Sequence, residues 1–229
     1  MAVKFMKQKF ILILLLIFFF IIQIVESAQE IKLPSANKRS NVSFEEAIYK
    51  WSATRRFSNK PLTLKQISQL LWSAFGTTVD GVSSATRVFP SAGGIYPLEL
   101  YVVVGNVENL SPGVYKYNYK SHSLIQVREG DLREELSSAA LNQFFIKQAP
   151  VSFIWTAKYG KMFYYGERGK TRYIHIDLGH SAQNLTIQAT VLGLGTVQIG
   201  AFDDDKVRKL LSLPNDETPV YIMPVGYKL

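Results

Sequence analysis

Apolar and polar residues alternate along the chain in a pattern that predicts four helices. Thr63 and Gln66 have the spacing of a capping box, in which each residue bonds the backbone N–H of the other at the start of a helix. This helix is predicted over Leu64–Phe75, with its buried stripe at Ile67, Leu70, Leu71 and Ala74. Two further helices are predicted to begin at capping boxes, one at Ser43/Glu46, extending to about Trp51, and one at Asp131/Glu134. The fourth predicted helix covers Tyr173–Leu192 and is ended by Gly193 and Gly195.

Six short runs of β-branched and aromatic residues lie between turn residues, as strands do. Strands and helices do not alternate regularly, so the sequence predicts an α+β fold with a mixed or antiparallel sheet covered by helices. The predicted strands are Pro97–Gly105, Gly113–Tyr119, Ser123–Arg128, Val151–Lys158, Thr196–Ala201 and Val220–Tyr227.

Residues 1–27 predict an export signal or an N-terminal membrane anchor. Lysines precede an apolar run, Phe10–Val25, that only Gln23 interrupts. The run is slightly shorter than the roughly 20 residues that span a bilayer, so a cleaved signal peptide and a retained anchor both remain open. We therefore expect an exported protein, periplasmic or extracellular, or one tethered to the membrane. Residues 28–42 are interpreted as a linker and residues 43–229 as one domain.

The composition excludes several kinds of site. The chain of 229 residues has no cysteine, which excludes disulfides, thiolate zinc sites, thiol nucleophiles and iron–sulfur centres. His175 and His180 do not share a helix face, and the Asp203–Asp205 run is interpreted as a helix cap, so we predict no metal site. The net charge of +8 suits an anionic ligand but is too diffuse to predict nucleic-acid binding.

Two short segments are candidates for ligand binding. Arg55 and Arg56 offer two guanidinium groups to a phosphate, although an ordinary solvated surface is the alternative. The Pro90–Gly94 turn consists of small residues and permits close approach by a flat ligand, although it also fits a plain turn. The run GLGTVQIG at 193–200 is not a dinucleotide-binding motif, because it lacks the third glycine and follows a helix.

Several long motifs in one order resemble the nitroreductase superfamily. They include PLTLKQISQLLWSAFGTT, TRVFPSAGGIYPLELYVVVGNVENLSPGVYKYNYKSHSL, VREGDLREELSSAALNQ and YGERGKTRYIHIDLGHSAQNLTIQATVLGLGTVQIG. Within it the SagB-type dehydrogenase branch is the most similar, over about residues 43–228. The resemblance implies an α+β flavoprotein that forms an intertwined homodimer, with FMN sites built from both subunits.

The resemblance also assigns site residues by position. It places the FMN phosphate at the 52–57 segment, and the Pro90–Gly94 turn, contributed by one subunit, against the isoalloxazine ring. Tyr165, Glu167 and Arg168 are placed by hypothesis at the substrate pocket, with a surface loop as the alternative. The residues implied to bind FMN are Ser52, Arg55, Arg56 and Lys228 for the phosphate, Pro90, Ser91, Ala92 and Gly93 for the ring face, Asn142 or Gln143 for the pyrimidine edge, and Gly200 and Ala201 for flavin N5.

The implied activity is hydride transfer through flavin N5, to or from a small organic substrate, by a ping-pong mechanism. Such chemistry requires no catalytic nucleophile or metal ion from the protein. The phosphate segment departs from the family pattern, because Trp51 and Ala53 stand where many relatives have an arginine and a serine. A flavin-scaffold accessory protein with little turnover therefore stays open, as does an azoline-to-azole peptide oxidase. The electron donor is left unassigned.

Overall fold

A seven-stranded sheet forms the centre of this computed structural model, which describes residues 30–78 and 87–229. The strand order is β1-β6-β5-β3-β7-β9-β8, and every neighbouring pair in it is antiparallel. A separate parallel pair, β2 with β4, makes the pairing of the described chain mixed. The strands are β1 (Glu30–Lys32), β2 (Leu62–Thr63), β3 (Leu98–Val104), β4 (Val107–Glu108), β5 (Gly113–Asn118), β6 (Ser123–Glu129), β7 (Val151–Ala157), β8 (Leu194–Thr196) and β9 (Thr218–Tyr227).

Helices cover both faces of the sheet, and each face has its own apolar core. Side chains alternate along β3, so Val102 and Val104 pack with one cluster and Val103 with the other. The first cluster includes residues of α2 and α6, and the second includes residues of α3, α4 and α7. The helices are α1 (Phe44–Lys50), α2 (Leu64–Phe75), α3 (Arg133–Ala139), α4 (Phe145–Gln148), α5 (Gly166–Arg168), α6 (Ile174–Val191) and α7 (Asp204–Leu210).

The α+β fold is confirmed, and the helix starts follow the capping signals at three of four sites. Thr63 and Gln66 form the complete capping box of α2, whose predicted stripe is fully buried. Ser43 caps α1 and Asp203 caps α7 through their side chains. The predicted cap at Asp131 is wrong, because α3 starts after Leu132 without a side-chain cap. Asp131 instead accepts hydrogen bonds from the backbone and the guanidinium of Arg133.

Helix α6 ends as predicted, but the strand that follows it does not lie where the sequence placed it. Gly193 has a left-handed φ of 70°, which suits the residue after a helix end. Gly195 does not terminate the helix, because it lies inside β8, which covers 194–196 instead of the predicted 196–201. Residues 200–201 therefore lie beyond the strand, in exposed irregular backbone.

The segment interpreted as a linker contains regular structure. Residues 30–32 form β1, an edge strand that pairs with β6. Leu33 N–H then donates to His122 O (3.1 Å), and Asn37 N–H donates to the side chain of Gln69 on α2 (2.7 Å). The linker prediction is therefore corrected for residues 30–37, which belong to the folded domain.

The predicted export or anchoring segment, residues 1–27, lies outside the described residues. Within residues 30–78 and 87–229, no helix is both long and apolar enough to cross a bilayer.

Candidate functional site

The 52–57 segment lies along the ends of β8 and β9. Thr54 N–H donates to Thr196 O (3.0 Å), and Phe57 forms a β-bridge with Lys228. The close approach requires a glycine at 195, because a Cβ atom there would lie 2.5 Å from the Thr54 hydroxyl. Strand geometry thus fixes the backbone that carries the two arginines.

Three cationic residues and a serine lie on the 52–57 segment and on the end of the chain that pairs with it; we call Ser52, Arg55, Arg56 and Lys228 the basic clamp. Lys228 Nζ donates to Ser52 Oγ (3.3 Å), and Leu229 N–H donates to Arg56 O (3.3 Å). All four side chains are exposed. Among the described residues, none of the three cations has a carboxylate within 4.0 Å. The clamp therefore carries uncompensated positive charge, which suits a phosphate.

The loop after β8 lies beside the turn that contains Asn142 and Gln143. Gln143 Nε2 donates to Ala201 O (3.0 Å) and to Ala140 O (2.9 Å), so both amide hydrogens are used within the protein. Asn142 is exposed and adopts a left-handed φ of 58°. Gly200 and Ala201 are exposed, and a Cβ atom on Gly200 would meet nothing within 4 Å. This open backbone leaves room for a flat ligand.

The Pro90–Gly94 turn is fixed to helix α6 by a buried carboxylate, Asp177. Ser91 Oγ donates to Asp177 Oδ2 (2.5 Å), and Ala92 N–H donates to Asp177 Oδ1 (3.3 Å). The hydroxyl of Ser91 also accepts from Tyr96 N–H (2.9 Å). A cleft of about 280 Å³ lies between the turn and α6.

The loop predicted to border the substrate reaches the same turn. A Cβ atom on Gly93 would lie 2.5 Å from the Tyr165 hydroxyl, so this ring covers the turn. Glu167 is exposed and pairs with Lys170 (2.8 Å), and Arg168 is exposed one residue further. The structure therefore brings Tyr165 to the turn but shows Glu167 in a surface ion pair.

The predicted FMN residues fall into three groups on different elements. The turn contacts α6 near Asp177, the clamp lies on the segment that pairs with β8, and Gln143 contacts the loop at Ala201. Trp51, which precedes the clamp, lines a cleft together with His175 of α6. No hydrogen bond between described residues joins the turn to the clamp.

Comparison with known proteins identifies the chain. The profile of the Nitroreductase family matches residues 48–227. The chain belongs to the nitroreductase family.

The similarity extends over nearly the whole length of two relatives. A protein of Methanocaldococcus jannaschii, provisionally named a nitroreductase, is 40% identical over 201 residues, which are 87% of this chain and 97% of that protein. A crystal structure from Ralstonia eutropha, also provisionally named a nitroreductase, has a TM-score of 0.76 and 28% identity, covering 90% of this chain and 92% of the other. The trifolitoxin-processing protein of Rhizobium leguminosarum is 32% identical over 132 residues, or 56% of this chain and 35% of that protein.

In this member of the nitroreductase family, Asp177 is the residue of the candidate site that the sequence motifs did not indicate. Its side chain is 2% exposed, and burial raises its pKa above the ordinary value, while bonds from Ser91 and Ala92 and the charge of His180 act in the opposite direction. A carboxylate that is buried despite this cost of desolvation indicates a specific role as a hydrogen-bond acceptor. The sequence carries a signal for it: Ile174, Asp177, Leu178 and Ser181 follow the spacing of a buried helix face, and an acid there needs a partner.

Proposed function

We propose that this chain is an FMN-dependent oxidoreductase that transfers hydride to or from a small organic substrate, through flavin N5, by a ping-pong mechanism. The observation that carries the proposal is the basic clamp: three cations that have no acidic partner among the described residues, where the 52–57 segment pairs with β8 and with the end of β9. The loop that follows β8 adds the open backbone of Gly200 and Ala201. Membership of the nitroreductase family supports the same reading.

The residues of the clamp suit a phosphate dianion. Arg55, Arg56 and Lys228 supply positive charge, and the Ser52 hydroxyl accepts from Lys228 while keeping its own hydrogen to donate. This chain lacks the arginine and the serine that many relatives place earlier in the segment, so Lys228 and Ser52 take over their chemistry. The altered motif thus still contains the donors that a phosphate requires.

The remaining residues suit the ring of the cofactor. Bound FMN supplies the hydride chemistry, while the protein orients the reactants and stabilises charge. Neither Gly200 nor Ala201 donates its N–H to another described residue, so both can bond an electron-rich ring nitrogen. Because both hydrogens of the Gln143 amide are used, its Oε1 is left to accept from a ring N–H. Tyr165, Glu167 and Arg168 are proposed to border the substrate.

We further propose that the active form is a homodimer. No hydrogen bond between described residues joins the turn to the clamp within one protomer, and the turn of a partner would complete each site. Exposed apolar side chains on α1 offer a surface for that contact: Phe44, Ile48 and Tyr49 are 60%, 51% and 89% exposed. A second copy would remove them from water.

Titration of FMN into the full-length chain, in mild detergent, tests the proposal. We expect saturable quenching of FMN fluorescence, and at least about tenfold weaker binding for Arg55→Gln or Lys228→Gln, because each removes a charge-assisted bond. Lys209→Gln, an exposed cation on α7, is the matched control and should bind normally. A protein that leaves FMN fluorescence unchanged refutes the proposal.

A second candidate is oxidation of peptide azolines to azoles. It is favoured by the similarity to a trifolitoxin-processing protein. Incubating the FMN-loaded protein with an azoline peptide should then give a product lighter by two hydrogens. If FMN binds but neither azolines nor small electrophiles react, the accessory role with little turnover is the better account.

We also propose that the N-terminal segment exports or anchors the protein. Expression in its host, followed by fractionation and sequencing of the mature N-terminus, tests this. Recovery of the intact chain in the cytosolic fraction would contradict both variants of the proposal.

A further inference from the structure

A second positively charged cavity lies away from the turn. It is a cleft of about 400 Å³ between residues 37–40, helix α2 and the C-terminal end of α6. Lys38, Arg39 and Lys65 line it, together with the indole of Trp72. We call it the basic cleft.

The walls of the basic cleft are held in place by hydrogen bonds. Gln69, which is 8% exposed, joins all three sides: its Oε1 accepts from Asn37 N–H (2.7 Å), and its Nε2 donates to Asn37 O (3.0 Å) and to Gln188 Oε1 on α6 (2.9 Å). Trp72 Nε1 donates to Thr77 O (3.2 Å), which fixes the indole. The cleft is therefore preformed, as ligand sites usually are.

The charges of the basic cleft are unfavourable for stability. No acidic residue lines it, and none of its three cations has a carboxylate within 4.0 Å among the described residues. Lys65 lies in the first turn of α2, where the positive end of the helix dipole disfavours a cation. Burial lowers the pKa of the Lys38 ammonium, although its contact with the Trp72 ring, at 3.5 Å from the ring centre, is favourable.

Nearby negative charge does not offset these cations. Glu108 is paired by its backbone with Thr63, but makes no ion pair with them. The C-terminal end of α6 contributes only about half a unit of negative charge. Like charges kept together at the expense of stability are typical of a binding site.

We propose that the basic cleft binds a phosphate monoester that carries a planar organic group. A dianion matches three cations better than a carboxylate does, and Arg39 can bond two of its oxygens at once. The volume lies within the roughly 300–1,000 Å³ of ligand pockets, so it admits more than a phosphate alone. The Lys38 ammonium lies over the indole of Trp72, and a planar group would stack there in its place once this ammonium binds the phosphate.

Calorimetry with adenosine monophosphate as the probe tests the inference, on the FMN-saturated full-length chain in mild detergent, so that FMN occupies the basic clamp. We expect one saturable site, and at least about tenfold weaker binding for Arg39→Gln or Lys65→Gln, both exposed positions. Lys209→Gln is the matched control for charge. The double variant Arg55→Gln/Lys228→Gln should bind the probe normally, because it alters only the basic clamp. Circular dichroism checks that each variant folds.

The remaining ligands separate the two parts of the proposal. Adenosine, which lacks the phosphate, should not bind, and Trp72→Leu should abolish the preference for adenosine monophosphate over ribose 5-phosphate. The inference is overturned if inorganic phosphate binds as tightly as the nucleotide, or if Lys209→Gln weakens binding as much as Lys65→Gln. It is also overturned if only the clamp double variant loses binding, since the site would then be the clamp.

Discussion

Replacing Asp177 tests how the Pro90–Gly94 turn is held on the domain. In Asp177→Ala the Ser91 hydroxyl and the Ala92 N–H both lose their acceptor. Asp177→Asn keeps the size of the side chain but offers one oxygen where two donors point, and its NH₂ group adds a further donor. Both variants leave the apolar packing of α6 nearly intact, so the effect reports on the turn.

The expected loss follows from the two hydrogen bonds. An unsatisfied buried donor costs about 1–3 kcal/mol. The Ala92 bond is long, at 3.3 Å, and half-buried, so it contributes at the low end of that range. Burial destabilises the charged carboxylate, as the direction of its pKa shift indicates, so removing the carboxylate regains part of the lost stability. We expect Asp177→Ala to lose about 2–3 kcal/mol and Asp177→Asn about half of that.

The pH dependence gives a second, independent measure. The pKa of Asp177 is higher in the folded chain than in the unfolded one, so the folded state binds more protons between the two values. The stability of the native protein relative to Asp177→Asn should therefore increase as the pH falls through the raised pKa towards about 3.9. Taking the difference between the two proteins cancels the other carboxyl groups.

Thermal unfolding of the full-length chain, followed by circular dichroism at several pH values, is the assay. A loss of 2–3 kcal/mol corresponds to a decrease in Tm of about 4–12 °C for a domain of this size. Glu129→Gln, an exposed acid at the end of β6, is the control and should leave Tm unchanged. An unchanged Tm for Asp177→Ala, or a difference from Asp177→Asn that does not vary with pH, would refute the reasoning.

Three further substitutions test other parts of the structure. Burial lowers the pKa of His122, so the free energy of unfolding should rise with pH up to about 6.5. In urea denaturation at several pH values, His122→Gln should reduce this dependence on pH. An unaltered dependence contradicts the assignment. Glu217 is fully buried and bonds two partly exposed lysines at 3.2 Å each. In the same assay Glu217→Gln should therefore lower the free energy of unfolding by about 2–4 kcal/mol. An unchanged free energy would show that the network contributes nothing. Gly93 and Gly94 both have positive φ, but only a Cβ on Gly93 meets Tyr165, so Gly93→Ala should lower Tm more than Gly94→Ala; equal decreases would count against the contact.

The sequence predicted most elements whose signal is local, although the capping signal at Asp131 was wrong. A capping box needs only a helix start, so Thr63 and Gln66 predicted the start of α2 correctly. The β8 prediction failed because its run of small and β-branched residues is ambiguous in register. Continuous pairing with β9 runs from Leu194, immediately after the helix end, to Thr196, and an isolated bridge from Ile199 to Ile222 follows. The partner strand therefore decides the bounds of β8, and such long-range pairing leaves no local signal.

The candidate site likewise contains residues that the sequence indicated and one that it did not. The resemblance placed Ser52 and Lys228 in one site, and the structure brings their side chains within 3.3 Å although 176 residues separate them. The sequence did not indicate Asp177 as a site residue, because an acid within a long helix usually faces water. Its role depends on Ser91, a residue 86 positions earlier in the chain, which only the packing of the turn on α6 brings close.

The arrangement of charge is what composition could least predict. The cations are not all paired alike: Lys116 and Lys158 both bond Glu217, whereas the basic clamp and the basic cleft contain no acid partner among the described residues. Like charges placed close together repel, so stability does not favour two such groups of three cations each. The anionic ligands proposed for both places would supply the missing negative charge when they bind.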